Sequence, residues 1–475
     1  MRSIESDSRC GDVEGFERKV QEAYRDLEAF GKSPPKITSG EELEALEGEI
    51  RRRTDELGRL VLEHQLQQAL DSEELKEAQR QLIKAWPGRL KNEGKQSVRL
   101  CIGSGLWITV WTNYYRRRCD RRHKKRSKGV YAGLVILGIH ERCTPVVSSR
   151  VSMLTALLSS FKETKQVLSD QGFELGVKVI RKLAYRYAAR ARVIQQSEAF
   201  FLGEEVPANG RRVVVSCDGG KIRLRENKRG PKTAKRRTRF KGAWREPRLL
   251  IIYVLDEQGQ PQRSFAPVID GGLKGPNALF ELMQSYLRTL ALTPEDQLLF
   301  VADGAPWIWN RVPGLIEALG LAAQQVHELL DFYHSVENLA KVAKLRKSWS
   351  AKQRKRWVKK HRRLLLKGQV SKVIDAIRKL CRGRYSKAIR TKCEYFVKNQ
   401  HRMDYAHLKA NHWPMGSGAV ESAIRRVINL RLKGPGIFWY RGNAEAMLML
   451  RAYYKAGRWN LLKNMANSPL SVMPA

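Results

Sequence analysis

Arg212-Val-Val-Val-Ser-Cys-Asp218-Gly-Gly220 is an apolar run that stops at an acid and two glycines, and Leu298-Leu-Phe-Val-Ala-Asp303-Gly-Ala305 repeats the design. Short apolar runs rich in β-formers and closed by a turn signal read as buried strands. A third acid opens a helical run in Met415-Gly-Ser-Gly-Ala-Val-Glu421-Ser-Ala-Ile424, where Gly416-Ser417-Gly418 marks the helix start. Two acids at strand ends and one about a turn into a helix suit a divalent-metal site on a phosphodiester. Mg²⁺ and Mn²⁺ prefer carboxylate oxygens, and two ions about 3.5–4 Å apart activate the attacking oxygen and stabilise the leaving one. Asp218 is expected to bridge both ions, with Asp303 and Glu421 completing one shell each. The glycines after both aspartates are expected to leave room for a phosphate backbone.

Outward from that stretch the chain reads as α/β. Residues 212–216 and 221–225 flank the Asp-Gly-Gly turn, 249–255 supply a third strand, and a helix over 276–290 crosses to the strand that delivers Asp303. Three strands, a crossover helix and a fourth strand match the opening order of an RNase H-like sheet. Residues 227–241, with eight Lys/Arg in 15, read as a hairpin extension.

The 117 residues between Asp303 and Glu421 exceed what one connection needs. Helical patterns cover 331–345, 350–366, 370–380 and 385–398, so residues 325–412 are expected to form a helical insertion in the core. Asp331-Phe-Tyr-His334 stands at its start. Asp331 can cap the helix, with His334 and Glu337 in its first turns, or Asp331 and His334 can line the active site. Residues 345–363 carry ten Lys/Arg in 19, interleaved with Trp349 and Trp357. Arg354, Lys355, Lys359 and Lys360 are therefore expected to follow the DNA beside the scissile phosphate.

Upstream, 13–85 is helical in pattern, and its 41–81 stretch is either one long helix or a helical hairpin. It caps the next domain or meets a second copy. Around 97–147 the pattern turns to β, with Tyr114-Tyr115 leading into nine Lys/Arg in the 13 positions 116–128, a backbone-binding loop beside aromatics. Residues 151–168 and 175–193 read as two helices around Asp170-Gln-Gly-Phe-Glu174, the layout of a helix-turn-helix reader. Lys178, Arg181 and Lys182 on the second helix are the candidate DNA contacts.

Composition agrees with a polyanionic partner. The chain has 475 residues, 89 basic against 48 acidic, for a formal charge of +41. Residues 1–80 hold 13 basic and 20 acidic residues, so the excess lies downstream of an acidic start. No run reaches the ~18 apolar residues needed to span a bilayer, and there is no apolar signal region at the start. Seven cysteines scattered along the chain form no disulfide framework. These features predict a cytoplasmic, nucleoid-associated protein without a membrane. A Walker-type glycine loop and a His-x-His pair are both absent, which argues against ATP and a relaxase-type nuclease.

Ser216-Cys-Asp218-Gly-Gly, Ala302-Asp303-Gly-Ala-Pro-Trp-Ile308, Asp331-Phe-Tyr-His334 and Gly416-Ser-Gly-Ala-Val-Glu421-Ser-Ala423 resemble the motifs of bacterial insertion-sequence DDE transposases of the ISKra/ISLre-like type, over roughly residues 100–460. The resemblance implies an RNase H-like core with Asp218, Asp303 and Glu421 as catalytic acids and two Mg²⁺ or Mn²⁺ ions. It also implies strand cleavage at element ends, transfer of the 3′-OH to target DNA, and a homo-oligomer on double-stranded DNA. Relatives often carry a Cys-rich element after the Tyr-Tyr. Here only Cys119 stands there, with His123, Cys101 and Cys143 around it and no CxxC pair, which argues against a zinc site. The expected division is 1–95 helical, 96–200 hairpin plus helix-turn-helix-like, 205–324 first part of the core, 325–412 insertion, and 413–475 catalytic and C-terminal helices. A nuclease or junction resolvase on the same fold, and a non-catalytic DNA-binding descendant of a transposase, are the alternatives.

Overall fold

The computed structural model describes residues 13–32, 37–117, 129–197, 200, 210–234, 236, 238–381 and 386–468. The basic loop read at 116–128 lies outside them from residue 118 onward, together with Cys119 and His123. The chain divides into two compact units, 1–191 with 466–475, and 192–465.

The first unit is built on β1 (Leu90–Cys101) and β2 (Trp107–Arg117), paired antiparallel with Val98 opposite Val110, and a short β3 (Val130–Tyr131) beside the end of β2. Upstream helices run over Val13–Lys32, Gly40–Asp71 and Glu73–Ala85. Ser39 starts the long one with a capping box, accepting from the Glu42 N–H at 3.2 Å while Glu42 reaches back. This helix covers a sheet edge. Gln67 accepts from the Trp111 N–H at 2.7 Å and donates to its carbonyl at 3.1 Å, and Glu63 accepts from the Thr109 N–H at 3.2 Å. Side chains thus supply the partners a further strand would have given, and the 41–81 region is a cap on the hairpin.

Helices Pro145–Leu157, Phe161–Asp170 and Val177–Gln195 follow. The single helix expected over 151–168 is broken, because Ser160 leaves the helical region and caps a new helix by accepting from the Glu163 N–H at 3.1 Å. Cys101, Cys143, Val151, Leu168, Phe173, Ile180 and Leu183 share one core that binds these helices to the end of the hairpin.

In the second unit a five-stranded sheet is made of β4 (Arg212–Gly219), β7 (Arg248–Leu255), β8 (Val268–Gly272), β9 (Gln297–Ala302) and β10 (Val326–Leu330), ordered β10-β9-β4-β7-β8. β7 is antiparallel to β4 and to β8, whereas β9 is parallel to β4 and to β10, so the sheet is mixed. The fold is mixed α/β. The strand expected at 221–225 exists as β5 (Ile222–Asn227), but it pairs with β6 (Phe240–Arg245) in a separate hairpin. β7, buried along nearly its whole length, is the second strand of the sheet instead.

Two other strands went unread. β8 carries the buried Asp270 in its middle, where Arg192 holds it through two 2.7 Å bonds and the Tyr286 hydroxyl donates at 2.7 Å. β10 contains His327 and Glu328 and lies inside the range assigned to the insertion, so the helical part begins after Leu330. Helix Pro276–Thr289 is the crossover from β8 to β9, and helices Phe332–Leu345, Ala351–Leu366, Val370–Lys379 and Ser386–Lys398 make up the insertion. Among the described residues no helix is long and apolar enough to cross a membrane.

Candidate active site

β4 and β9 start together because Arg211 and Asp296 form a buried ion pair at their near end, where Asp296 also accepts from the Arg211 N–H at 2.7 Å. The parallel register Val215 to Phe300, carried three residues further on each strand, brings Asp218 and Asp303 level at the far edge. Asp218 Oδ1 accepts from the Gly219 N–H at 2.6 Å, and Asp303 Oδ1 accepts from the Ala305 N–H at 3.0 Å. Trp309 Nε1 donates to the Asp303 carbonyl at 2.6 Å and holds that turn.

Glu421 comes from the Gly418–Ile424 helix, which lies against β4 and β7 and whose cap is Ser417. Its side chain is 53% exposed at the same edge. Burial pushes the Asp218 carboxyl up to about 6; the Gly219 N–H opposes this, while the charges of Asp303 and Glu421 add to it and His334 subtracts. Asp218 therefore senses both of the other acids.

The glycines serve this assembly differently from the expectation. A Cβ on Gly219 would stand 2.1 Å from a Glu246 carboxylate oxygen, one on Gly304 2.4 Å from the Tyr395 ring, and one on Gly220 2.7 Å from Ile428. The room next to each aspartate is filled by protein: by Glu246, by a ring from the insertion, and by the segment that continues the Glu421 helix. Neither Glu246 nor Tyr395 was singled out in the sequence, and nothing in their local patterns marks them. Burial pushes the Tyr395 hydroxyl up to about 12.

Asp331 is 1% exposed; it caps its own helix and also reaches Ser417 at the start of the Glu421 helix. One oxygen accepts from the His334 N–H at 2.9 Å; the other accepts from the Ser417 N–H and from the Ser417 hydroxyl, each at 2.5 Å. Its own N–H donates to the Ala302 carbonyl at 2.8 Å, and the Phe332 N–H to the Met415 carbonyl at 3.0 Å. Residues 331–332 thus tie the end of β9 to the start of the Glu421 helix. Burial alone would raise the Asp331 carboxyl, but the bonds from His334 and Ser417 outweigh it and hold it well below the usual carboxylate range.

His334 Nδ1 lies 3.5 Å from Asp331 Oδ1 and 3.9 Å from Glu421 Oε1. The Asp331 carboxylate beside it pushes the imidazole up to about 9 against the opposing effect of burial, which favours the protonated ring. Donor atoms of Asp331, His334 and Glu421 lie within 4.8 Å of one another. Asp331 has both oxygens engaged, whereas the Glu421 carboxylate is half exposed and open to a cation. Asp218, Asp303 and Glu421 carry hard oxygen donors of the kind a divalent ion prefers, whereas among the described residues the group whose donor atoms lie within 4.8 Å of one another is Asp331, His334 and Glu421.

The other candidate residues lie elsewhere. Lys178, Arg181 and Lys182 are exposed on their helix in the first unit, where Lys182 pairs with Glu141 at 3.1 Å. Lys355, Lys359 and Lys360 are exposed on the Ala351–Leu366 helix; Arg354 is half-buried and reaches the Lys347 carbonyl at 3.5 Å. Trp349 packs on Trp357 at 5.9 Å, and Trp357 on His361 at 4.0 Å, so these rings serve the helix packing.

No family model matches this chain. No curated protein matches it either. Among solved structures a match is a Drosophila P element transposase strand transfer complex, at 10% identity and a TM-score of 0.24, covering 67% of this chain and 80% of that chain. A likeness at that level fixes neither the fold nor the function.

Proposed function

We propose that the chain is a DDE transposase with an RNase H-like core, cutting DNA at element ends and joining the freed 3′-OH to target DNA. The observation that carries this reading is that Asp218 and Asp303 follow two adjacent parallel strands and the helix bearing Glu421 packs on the same sheet, near enough for both other acids to act on Asp218. The strand order supports it: β4, β7 and β8 run antiparallel in succession, and a crossover helix then leads to β9 and β10, parallel to β4. Asp218, Asp303 and Glu421 would hold two Mg²⁺ or Mn²⁺ ions, which supply activation of the attacking oxygen and neutralisation of charge on the leaving one.

The reaction needs no covalent link to protein. Water attacks the phosphorus at the element end, the P–O3′ bond breaks, and a 3′-OH and a 5′-phosphate result. That 3′-OH, losing its proton, then attacks a target phosphodiester in line and displaces a target 3′-OH. The protein's part is alignment. Asp331 fixes the start of the Glu421 helix, and the His334 ring lies 3.9 Å from the Glu421 carboxylate.

Duplex DNA suits the basic surface of the insertion. Lys359, Lys360, Arg356, Arg363, Lys367 and Lys409 surround an open pocket of about 630 Å³ with no acid in its lining. A strand-transfer assay with labelled element-end DNA and Mg²⁺ or Mn²⁺ tests the reading. A transposase yields joined product, a nuclease or resolvase yields cut ends only, and a DNA-binding descendant yields neither.

A further inference from the structure

The β5–β6 hairpin leaves the sheet directly after Asp218-Gly-Gly220, and its two faces differ. Ile222 and Leu224 are buried, as is Trp439 beside them. Residues around Trp439 extend the hairpin: the Arg225 N–H donates to the Trp439 carbonyl at 2.8 Å, and the Trp439 N–H to the Arg223 carbonyl at 3.0 Å.

Alternation along β5 then sends Arg223 and Arg225 to the opposite face, where four rings meet them. The Arg223 guanidinium lies 5.6 Å from the Trp244 ring and 4.5 Å from Phe438; that of Arg225 lies 4.1 Å from Phe240 and 5.1 Å from Tyr440. Phe240 and Phe438 meet edge to face at 5.1 Å. Gly242 makes this possible, since a Cβ there would stand 2.7 Å from the Phe438 ring. The face is not covered. Trp244 is 55% exposed and Tyr440 42% exposed.

Exposed rings grouped together mark a binding surface, because leaving them in water forfeits the gain of burying them. Two fixed guanidinium groups among them select a partner that is both flat and anionic. Lys228, Arg239 and Lys241 on the same hairpin strengthen the positive field, while Arg245 is paired with Glu226. Unpaired nucleotides have both properties, as their bases stack on aromatic rings and guanidinium planes while their phosphates meet the cations. A duplex keeps its base faces stacked inside and cannot use the rings in that way.

We propose that this face of the β5–β6 hairpin binds unpaired nucleotides, with bases stacked on Trp244 and Tyr440 and with Arg223 and Arg225 held by the rings to meet bases and phosphates. The inference rests on the nucleic-acid part of the proposed function and is independent of the metal chemistry.

The test is fluorescence anisotropy of the full chain with a labelled oligo-dT and with a duplex of equal length, both in EDTA. Trp244→Ala with Tyr440→Ala should weaken oligo-dT binding by about tenfold or more, leave duplex affinity within about twofold, and preserve the circular dichroism spectrum. Trp244→Phe with Tyr440→Phe should retain most of the affinity, since a ring remains. Unchanged oligo-dT affinity in the alanine variant, or equal losses on both DNAs, would overturn the proposal. Wild-type binding to duplex without binding to oligo-dT would overturn it and leave the proposed function standing. Binding to neither would remove both. Self-association that the alanine variant abolishes, with oligo-dT binding intact, would assign the face to a second copy instead.

Discussion

Asp331 and Ser417 lie 86 positions apart in the chain, yet one buried carboxylate oxygen of Asp331 accepts both the N–H and the hydroxyl of Ser417 at 2.5 Å. The same carboxylate caps the first helix of the insertion through His334. One acid therefore starts two helices, one leading into the insertion and one carrying Glu421. This link makes the position of Glu421 depend on the residues at the root of the insertion.

Asp331→Asn should expose that dependence. The amide nitrogen cannot accept, so either the two Ser417 donors or the His334 N–H lose their partner in a buried place. A loss of about 1–3 kcal/mol of stability is expected in chemical denaturation, along with a fall in strand cleavage at saturating DNA while DNA affinity changes little. Wild-type cleavage in a destabilised variant would limit Asp331 to a structural role.

The first unit should carry an acid-sensitive group in His140. Burial lowers its pKa to about 4, and the Arg190 and Arg186 charges act in the same direction. Above the unfolded value of about 6.5 the ring is neutral in both states and costs nothing. As the pH falls from there towards 4 the unfolded chain takes up the proton first, so stability is lost progressively, by on the order of 2–3 kcal/mol at most. Hydrogen exchange of β1 and β2 amides at pH 7 and 4.5 measures this. His140→Gln should lose less protection between the two values than the wild type, and an equal loss would show that other groups set the acid sensitivity.

Lys355, Lys359 and Lys360 are solvent-facing, as a backbone-contacting set must be. Replacing the three with Gln should flatten the slope of log affinity against log salt by about 2–3 units, at about 0.9 for each phosphate no longer neutralised. Arg354 belongs less clearly to that set because its guanidinium is engaged with the Lys347 carbonyl. An unchanged slope would separate the insertion from the DNA.

Lys178, Arg181 and Lys182 make a different demand. If their helix reads bases, neutralising them should weaken binding to element ends more than binding to random DNA, since base contacts specify and phosphate contacts position. Equal weakening on both DNAs, measured in parallel titrations, would make the helix a backbone clamp.

Asp218 and Asp303 were legible as strand ends because each stands where an apolar run stops, and Glu421 as a helix-start residue because Gly416-Ser417-Gly418 precedes it. The pairing of β4 was not legible. β5 follows Asp218 at turn distance and looks like its partner, but its alternation of buried Ile222 and Leu224 with Arg223 and Arg225 belongs to a hairpin with two unlike faces. β8 escaped because Asp270 interrupts its apolar run, and bonds from the distant Arg192 and Tyr286 and from the adjacent Gly271 N–H make that acid tolerable inside. β10 escaped because five residues with His327 and Glu328 give no clear period. The glycines beside the aspartates were read as space for substrate, whereas Glu246 and Tyr395 occupy that space, and such packing across the fold leaves no local trace.

On the proposed function, Asp218, Asp303 and Glu421 act together on a DNA phosphodiester. The most direct measurement is Mg²⁺-dependent cleavage of element-end DNA by Asp218→Asn, Asp303→Asn and Glu421→Gln, each with its DNA affinity measured alongside. Each variant should lose at least about a thousandfold in cleavage rate, on the order of 4 kcal/mol of transition-state stabilisation, and keep its affinity within a few-fold. Near-normal turnover in any folded variant would remove that residue from the site and contradict the three-acid account.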